Sequence, residues 1–336
     1  MSFLIVAAVF LPLNLFAVPL SFKDDPSYEV FTAWKTKYNK KYEAPIEELN
    51  RFKAWKDNTE QIMLHNVRYE LGLETFNVEI NKFADMTTDE INAQRNTFKS
   101  TINPVPGNYP PVVTTGLPES VNWTKEGYVT GVKDQGSCGS CWAFSTTGVL
   151  EGQHMNATGN LTSLSEQQLV DCDSTSFACI GGEAVNAMQY LVKYGGSVSE
   201  ADYPYVSGTT GLADFCTEYG KPIAATVKNY TILASGDENS LQEAVATIGP
   251  ISIGIDASSW KFHFYSSGVY YNARCSSTHL DHAVLAVGYG TTDQNEDYWL
   301  VKNSWGVDWG MSGYLMMARN KDNNCGVATE AMYPIV

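Results

Sequence analysis

Positive charge is scarce in this chain of 336 residues, which carries 22 lysines and arginines against 37 aspartates and glutamates. The formal net charge is −15, and the excess of acidic over basic side chains is uneven along the chain. Residues 18–116 hold 12 basic and 14 acidic side chains, whereas residues 117–336 hold 10 and 23. Nucleic acids and anionic lipid surfaces bind basic proteins, so the composition argues against both as partners.

Long apolar runs are missing everywhere except at the N-terminus. Residues 1–17, MSFLIVAAVFLPLNLFA, are too short for a comfortable membrane-spanning helix and have the length of a secretory signal. We predict cleavage after Ala17 and no later membrane span, although no Lys or Arg precedes the apolar stretch. The alternative for this segment is a buried N-terminal strand.

Cysteine is absent from the whole first third of the chain. The seven cysteines all follow residue 117, and they are Cys138, Cys141, Cys172, Cys179, Cys216, Cys275 and Cys325. In an oxidising compartment six of them can pair, which leaves one as an intermolecular link or as a free thiol kept for a purpose. The same route makes four N-x-S/T sequons available for glycosylation, at Asn122, Asn156, Asn160 and Asn229.

The cysteine-free part of the chain has a helical pattern. Aromatic residues recur at spacings of three and four from Phe31 to Tyr42, and Pro45 suits the first turn of a second helix that runs to about Gly72. Residues 99–116 contain four prolines and almost no charge, which is typical of an extended, cleavable linker. We therefore predict a helical domain over 18–98, a linker over 99–116, and a mixed domain over 117–336.

The stretch KDQGSCGSCWAF, residues 133–144, contains the strongest chemical signal. A thioredoxin-like pair would follow a strand, and a zinc site would need a second cysteine pair, and the sequence offers neither. Ser140 can cap a helix that begins at Cys141, where backbone N–H groups and the helix dipole lower the pKa of a thiol. Gln135 can place its amide beside the Cys141 N–H, so that the two hold an oxyanion.

A nucleophilic thiol needs a base, and residues 117–336 contain four histidines. His282 stands at the head of an apolar strand that would hold its ring, while the other three read as structural or solvated. Asn303 can orient the imidazole, and Trp305 and Trp309 bracket it and can screen an Asn–His hydrogen bond from water. Those tryptophans can equally be plain core residues.

These motifs, in this order, resemble the cathepsin L-like branch of the papain-type cysteine proteases. Cys-Gly-Ser-Cys-Trp matches the family's signature around its nucleophile. The segments LPESVNW, NSWG and CGVATEAMYP resemble its mature N-terminus and its C-terminal part. The leader resembles the inhibitory propeptide, with Glu79 where a small residue is commoner, and the matching residues are Glu47, Arg51, Trp55, Asn58, Ile62, Asn66, Asn81, Phe83 and Asp85.

The resemblance implies an α+β fold, a two-lobed peptidase with a helical lobe and a β-barrel-like lobe behind a helical propeptide domain. It implies that Cys141 is the nucleophile, His282 the acid and base, Asn303 the orienting residue and Gln135 an oxyanion donor, with no metal or cofactor. It implies three disulfides, which are Cys138–Cys179, Cys172–Cys216 and Cys275–Cys325.

The resemblance also implies a substrate groove formed by Gly181, Gly182, Glu183, Ala184, Gly254, Leu280, Trp305 and Glu330. Glu330 is the unusual member, because an acid at this position lets the S2 pocket accept Arg as well as Phe or Leu at P2. The alternative places Glu330 in solvent at the pocket mouth. Glu183 is expected to give the S3 rim a weak preference for basic groups, and Ala178 stands where a glycine is usual.

The function that follows is a cysteine endopeptidase made as a zymogen, secreted or kept in a lysosome or other acidic vacuole. Its expected partners are protein and peptide substrates, its own propeptide and cystatin-like inhibitors, and it is expected to be monomeric. Release of the propeptide is predicted as pH falls and carboxylates in pairs such as Glu47–Arg51 take up protons. The alternatives are an inactive papain-fold binding or storage protein and a transpeptidating ligase.

Overall fold

The computed structural model describes residues 21–98 and 115–336. The predicted signal segment and nearly all of the predicted linker therefore lie outside the described residues. None of the helices in the described ranges is long and apolar enough to cross a membrane.

The first described range forms a small domain of three helices and one strand, which are α1 (Ser27–Lys37), α2 (Pro45–Glu70), β1 (Phe76–Val78) and α3 (Thr88–Arg95). Pro45 occupies the first position of α2, where the missing N–H costs no hydrogen bond, as the sequence predicts. The predicted aromatic stripe is the core of this domain, although Tyr42 lies beyond the end of α1. Its rings stack, with Phe31 5.8 Å from Trp34 and 6.2 Å from Tyr42 between ring centroids.

The second range contains a helical part and a strand-rich part. Its helices are α4 (Cys141–Thr158), α5 (Glu166–Cys172), α6 (Ala184–Tyr194), α7 (Ser207–Thr210), α8 (Glu238–Thr247) and α9 (Trp260–His263). Its strands are β2 (Val121–Asn122), β3 (Gly196–Val198), β4 (Ile223–Thr226), β5 (Asn229–Ile232), β6 (Ile251–Ile255), β7 (Tyr265–Tyr270), β8 (His282–Thr291), β9 (Asp297–Lys302), β10 (Tyr314–Ala318) and β11 (Ala331–Ile335).

Most of these strands join one sheet, in the order β1, β7, β10, β9, β8, β6, β11, β5. β2 pairs with β8, while β3 and β4 form a separate hairpin. Strand β8 lies centrally between β9 and β6 and is buried almost along its whole length, which holds its first residue, His282, rigidly. One apolar core lies under the sheet, and a second lies among α4, α5 and α6.

The small domain is attached to the edge of the large sheet by backbone pairing. β1 runs antiparallel to β7, with Phe76 opposite Gly268. Gly268 has φ +88°, and a Cβ at that position would collide with Phe76, so only glycine allows this close approach. This is strand addition, in which main-chain hydrogen bonds carry the contact.

The structure contains the three disulfides that the resemblance implies, Cys138–Cys179, Cys172–Cys216 and Cys275–Cys325. They close loops of 41, 44 and 50 residues in the large domain. Cys141 is the remaining thiol, and it is free and buried.

Candidate active site

Cys141 is the first residue of α4, the position that the sequence predicts for it. Ser140 is the N-cap residue, but its side chain makes no capping hydrogen bond to the helix. Its hydroxyl instead shares a hydrogen bond of 2.7 Å with Tyr205, whose hydroxyl donates to the Gln135 carbonyl at 2.8 Å. The serine thus fixes the loop before the helix rather than closing the helix end.

His282 and Asn303 meet beside this helix start. The imidazole Nε2 donates to Asn303 Oδ1 at 2.8 Å, and the Ser304 N–H donates to the same oxygen at 2.8 Å. Both side chains are buried. The backbone of Arg95, in the small domain, contacts the His282 ring, and the backbone of Ala283 contacts the Cys141 thiol.

The two tryptophans surround this pair as the sequence predicts. The Trp305 ring lies 5.0 Å from the His282 ring between centroids, and Trp309 packs edge-on against Trp305 at 5.2 Å. Neither ring is exposed to solvent. They therefore serve as core and also keep water from the Asn303–His282 hydrogen bond.

The Gln135 amide points at the chain that covers the site. Its Nε2 donates to the Arg95 carbonyl of the small domain at 3.2 Å and to the Cys138 carbonyl at 3.0 Å. Its Oε1 accepts from Ser304 Oγ and Trp305 Nε1, which fixes the amide with its N–H₂ toward the cleft. The Arg95 carbonyl therefore takes up an amide N–H of Gln135 that faces the cleft.

In the covered site the pKa of the Cys141 thiol differs from what the sequence predicts. Burial raises the pKa of Cys141 to about 11, against the lowering expected at a helix start. Burial likewise lowers the pKa of His282 to about 4, although the hydrogen bond to Asn303 opposes this. Both shifts favour the neutral forms of the thiol and the imidazole while the cover is in place, because desolvation is the largest contribution to each.

The cover is the end of the small domain, which runs through the cleft across bare glycine backbone. Thr97 Oγ1 donates to the Gly139 carbonyl at 2.9 Å, and a Cβ on Gly181 would collide with the Thr97 carbonyl. The Phe98 N–H donates to the Asp281 carbonyl at 3.0 Å. Gly182 is equally tight, since a Cβ there would press on the Trp142 ring.

Phe98 lines the pocket predicted as S2, and its ring packs against Gly254. Ala184, Gly254, Glu330 and also Glu183 line this pocket. Leu280 lies behind Gly254, where a Cβ on the glycine would meet both the leucine and the Phe98 ring. Glu183, for which the sequence predicts a place at the S3 rim, also lines this pocket, and its charge acts on Glu330.

Glu330 is buried, with 8% of its surface exposed, so the alternative of a solvated side chain at the pocket mouth does not describe it. Burial raises the pKa of Glu330 to about 8, and the charge of Glu183 adds to this rise. The pocket is therefore apolar in character when the carboxyl is protonated and acidic when it is ionised.

One predicted charge pair is wrong. Arg51 does not pair with Glu47 but donates to Glu90 at 2.8 Å and to the Asp85 carbonyl at 3.1 Å. Glu47 accepts from the Glu43 N–H at the start of α2, where a carboxylate complements the helix dipole. Spacing along α2 favoured the local pair, but the fold brings the start of α3 against the Arg51 side of the helix.

Asp134 of the large domain binds the small domain, and the sequence alone does not predict this contact. Its carboxylate binds Arg95 Nη1 at 3.1 Å and also pairs with Lys82, both from the small domain. Burial raises the pKa of Asp134, but the charges of Arg95 and Lys82 outweigh this and lower it. In the sequence, only its position directly before Gln135 indicates that Asp134 lies near the site.

Comparison with known proteins agrees with this geometry. Residues 117–335 match the family described as papain family cysteine protease, and residues 31–91 match the cathepsin propeptide inhibitor domain. The chain belongs to the papain family of cysteine proteases. It is 47% identical over 319 residues to a cathepsin L-like peptidase of Aedes aegypti, which covers 92% of this chain and 93% of that protein.

Two further relatives extend the likeness. The digestive cysteine proteinase 1 of Homarus americanus is 48% identical over 320 residues, covering 93% of this chain and 95% of its own length. The solved digestive procathepsin L 3 of the Tenebrio molitor larval midgut superimposes with a TM-score of 0.83 at 42% identity, covering 92% of this chain and 99% of that one.

The predicted family and fold are confirmed. The chain is a cathepsin L-like cysteine peptidase zymogen that carries its own propeptide inhibitor domain and belongs to the secretory pathway. These likenesses do not favour an inactive or ligating papain-fold protein. The small domain is hereafter called the propeptide, residues 21–98 in its described part, and the large one the peptidase domain.

Proposed function

We propose that Cys141, His282 and Asn303 carry out peptide-bond hydrolysis and that Gln135 stabilises the oxyanion. The observation that supports this most is the 2.8 Å hydrogen bond from His282 to Asn303, beside a free thiol at a helix start. Once the propeptide leaves, water reaches the site and the desolvation that keeps both groups neutral is relieved. A thiolate and an imidazolium can then form as a coupled pair.

In the reaction, the Cys141 thiolate attacks the scissile carbonyl, and Gln135 Nε2 with the Cys141 N–H bind the oxygen as it gains charge. The His282 imidazolium then protonates the leaving amine. Water, deprotonated by His282, hydrolyses the thioester and regenerates the thiol. Asn303 holds the imidazole in the orientation that both steps need.

The propeptide inhibits by occupying the cleft without presenting a bond to the thiol. It places the Arg95 carbonyl on the oxyanion donor and Phe98 in S2. Its residue numbers rise toward S2, whereas a substrate's fall from the scissile bond toward P2, so it lies in reverse of a substrate. Protein and peptide substrates and cystatin-like inhibitors would compete for the same cleft after release.

For specificity, the S2 pocket supports Phe or Leu at P2, as Phe98 illustrates, with Arg gaining as pH rises and Glu330 ionises. The sign follows from the raised pKa of Glu330: the neutral carboxyl below about pH 8 favours an apolar side chain. The guanidinium of a P2 Arg would itself favour ionisation of Glu330, so the preference for Arg would begin at a lower pH than the pKa of the empty pocket indicates. Glu183 strengthens the attraction for a cation.

For location, the acidic surface of the peptidase domain suits a lysosome, another acidic vacuole or secretion into an acidic extracellular space. Three of the four sequons, at Asn156, Asn160 and Asn229, are exposed, and Asn122 is half-buried. We expect glycans at the exposed ones, with Asn156 and Asn160 too close for both to be reliably occupied.

The test compares Phe-Arg and Arg-Arg fluorogenic substrates from pH 4 to 8 with the acid-processed enzyme. Hydrolysis should require Cys141, and the Arg-Arg to Phe-Arg ratio should rise with pH. Glu330→Gln should flatten that rise while leaving Phe-Arg turnover in place. A ratio that rises equally in Glu330→Gln would contradict the role of Glu330, and absence of any hydrolysis would contradict the function itself.

A further inference from the structure

His263 is the last residue of α9, and its side chain is fully buried. Its ring and that of His282 both pack on Trp305, with centroids 6.0 Å and 5.0 Å from the indole. The sequence predicts only a structural or solvated role for His263. The structure shows that propeptide side chains cover it.

Two propeptide asparagines are bound at this point. Asn92 Oδ1 lies 3.0 Å from His263 Nε2, and Asn92 Nδ2 donates to the Ser258 carbonyl at 3.0 Å. Asn96 Nδ2 donates to the Asn92 oxygen at 2.8 Å and to the Ala257 carbonyl at 3.0 Å. An imidazole with its proton on Nε2 satisfies this arrangement by donating to the Asn92 oxygen.

The peptidase domain therefore offers one donor and two acceptors to carboxamide groups. His263 Nε2 meets the oxygen of the Asn92 carboxamide, and the Ser258 carbonyl accepts from its nitrogen, so the group is recognised from both ends. The carbonyls of Ala257 and Ser258 belong to the backbone between β6 and α9, which holds them in place. When the propeptide leaves, these polar groups lose their partners.

The path of the propeptide shows which part of a substrate would reach them. Phe98 lies in S2 and Thr97 on the glycine backbone, while Arg95 lies over the oxyanion donor. Phe98 packs against Gly254, whereas Asn96 donates to the Ala257 carbonyl, and these two positions lie on either side of Ile255, which pairs with His282. Asn96, with Asn92 bonded to it, therefore lies on the opposite side of His282 from Phe98. Since S2 receives a residue before the scissile bond, this opposite side receives residues after it.

We propose that His263, with the Ala257 and Ser258 carbonyls, forms a subsite that binds a carboxamide side chain of the substrate on the primed side of the scissile bond. The ligand class is a Gln or Asn residue at P1′ or P2′, and Asn92 with Asn96 occupies the subsite in the zymogen. The inference rests on the proposed function, since it names a substrate preference of the same cleft.

The experiment uses acid-processed enzyme and internally quenched peptides with a constant Phe-Arg before the scissile bond. Gln, Met and Glu are compared at P1′ and, separately, at P2′, because Met has the length of Gln without its polar atoms. We expect kcat/KM to be about 10-fold higher for Gln than for Met at one of the two positions, the effect of one or two net hydrogen bonds.

Two variants assign the preference to the residue. His263→Phe should reduce the Gln-to-Met ratio to about one, because it removes the donor, and His263→Gln should restore part of it, because its amide can donate. The wild-type peptide series needs no variant, so a folding defect in His263→Phe leaves the test intact. A wild-type ratio of one at both positions, or a ratio unchanged in a folded His263→Phe, would overturn the inference.

The failure of this inference is distinguishable from failure of the proposed function. A Phe-Arg fluorogenic substrate has no amino-acid side chain after the scissile bond. If the wild-type enzyme hydrolyses it but shows no Gln preference, only the subsite is wrong. If the wild-type enzyme hydrolyses neither substrate, the proposed function is wrong as well.

Discussion

The propeptide and the peptidase domain are held together by different means. The peptidase domain closes three loops with disulfides, whereas the described propeptide residues contain no cysteine. The propeptide relies on its aromatic core, on one edge strand and on polar side chains that donate to enzyme carbonyls, such as Asn81 to His263 at 2.8 Å. The difference separates a domain whose fold is held by covalent links from one that is held on it by non-covalent contacts alone.

The same contrast applies to the chemistry. Every group proposed for catalysis belongs to the peptidase domain, and the propeptide contributes only groups that block it. Cys141→Ala should therefore lower kcat/KM by roughly 10⁴- to 10⁶-fold, as the loss of a nucleophile does in other proteases. The zymogen should keep its fold and its propeptide, because the thiol makes no structural bond.

This variant is measured with a Phe-Arg substrate and by circular dichroism of the uncut zymogen. Cys138→Ala with Cys179→Ala is the matched control, because it removes two cysteines near the cleft but not the nucleophile. More than one hundredth of wild-type turnover in Cys141→Ala would place the chemistry elsewhere.

The second prediction concerns acid release, to which His65 of the propeptide contributes. Burial lowers the pKa of His65, whose Nε2 lies 3.0 Å from the Phe76 carbonyl and whose ring meets Trp260 of the enzyme. Once the propeptide is released, the ring regains an ordinary pKa near 6.5 and takes up a proton. Acid below that pH therefore favours release.

The charged groups around His65 are Lys261 and Arg68, which oppose its protonation in the zymogen, and Glu74, which favours it. Carboxylates such as Asp134 have lowered pKa values in the zymogen and stay ionised until the pH falls below their ordinary range. Their contribution to the closed state is lost as the pH falls through these lowered pKa values, so carboxylate protonation also favours release, at lower pH than the protonation of His65.

His65→Gln keeps a donor for the Phe76 carbonyl but cannot take up a proton. We expect its autoprocessing at pH 5.5 to be up to about 10-fold slower than that of the wild type, with the difference vanishing at pH 7. Gln61→Asn, at an exposed position of the same helix, is the control. Equal pH profiles for His65→Gln and the wild type would show that this histidine does not link protons to release.

The third prediction compares how much a disulfide of the peptidase domain and an ion pair of the propeptide stabilise the fold. Replacing Cys275 and Cys325 together by Ala should lower the free energy of unfolding of the mature domain by about 2–4 kcal/mol, since the bond closes a loop of 50 residues. Arg51→Ala in the propeptide should cost about 1 kcal/mol or less, because its pair with Glu90 is partly exposed. Urea denaturation of each variant and of its wild-type parent measures the two losses of stability. Equal losses would show that the disulfide and the ion pair do not differ in strength as proposed.

The smallest expected effect is at Ala178, which has φ +53° beside the disulfide at Cys179. An alanine in this left-handed conformation is strained relative to glycine. Ala178→Gly should raise the free energy of unfolding of the peptidase domain by about 0.5–1 kcal/mol, measured by denaturation, with Ala224→Gly as a control that should destabilise. A loss of stability in Ala178→Gly would show that the strain is not real.

The sequence predicts well what depends on ordered motifs and helix ends. The start of α4 at Cys141, the start of α2 at Pro45 and the buried Asn303–His282 pair follow from local pattern and from the family. What depends on contacts between distant segments does not follow. The Arg51 partner is set when α3 packs against α2 within the propeptide, and the burial that raises the pKa of Cys141 is set by contacts between distant segments that include Thr97 of the propeptide.

The most direct test of the account is the labelling of Cys141 by a peptidyl epoxysuccinyl inhibitor before and after acid conversion, followed by mass spectrometry. Intact zymogen at pH 7 should remain unlabelled, since the propeptide covers a neutral thiol. The converted enzyme should take up one label per chain, on Cys141, and the Cys141→Ala variant should take up none. Equal labelling of zymogen and converted enzyme, or a label on any other residue, would contradict the account.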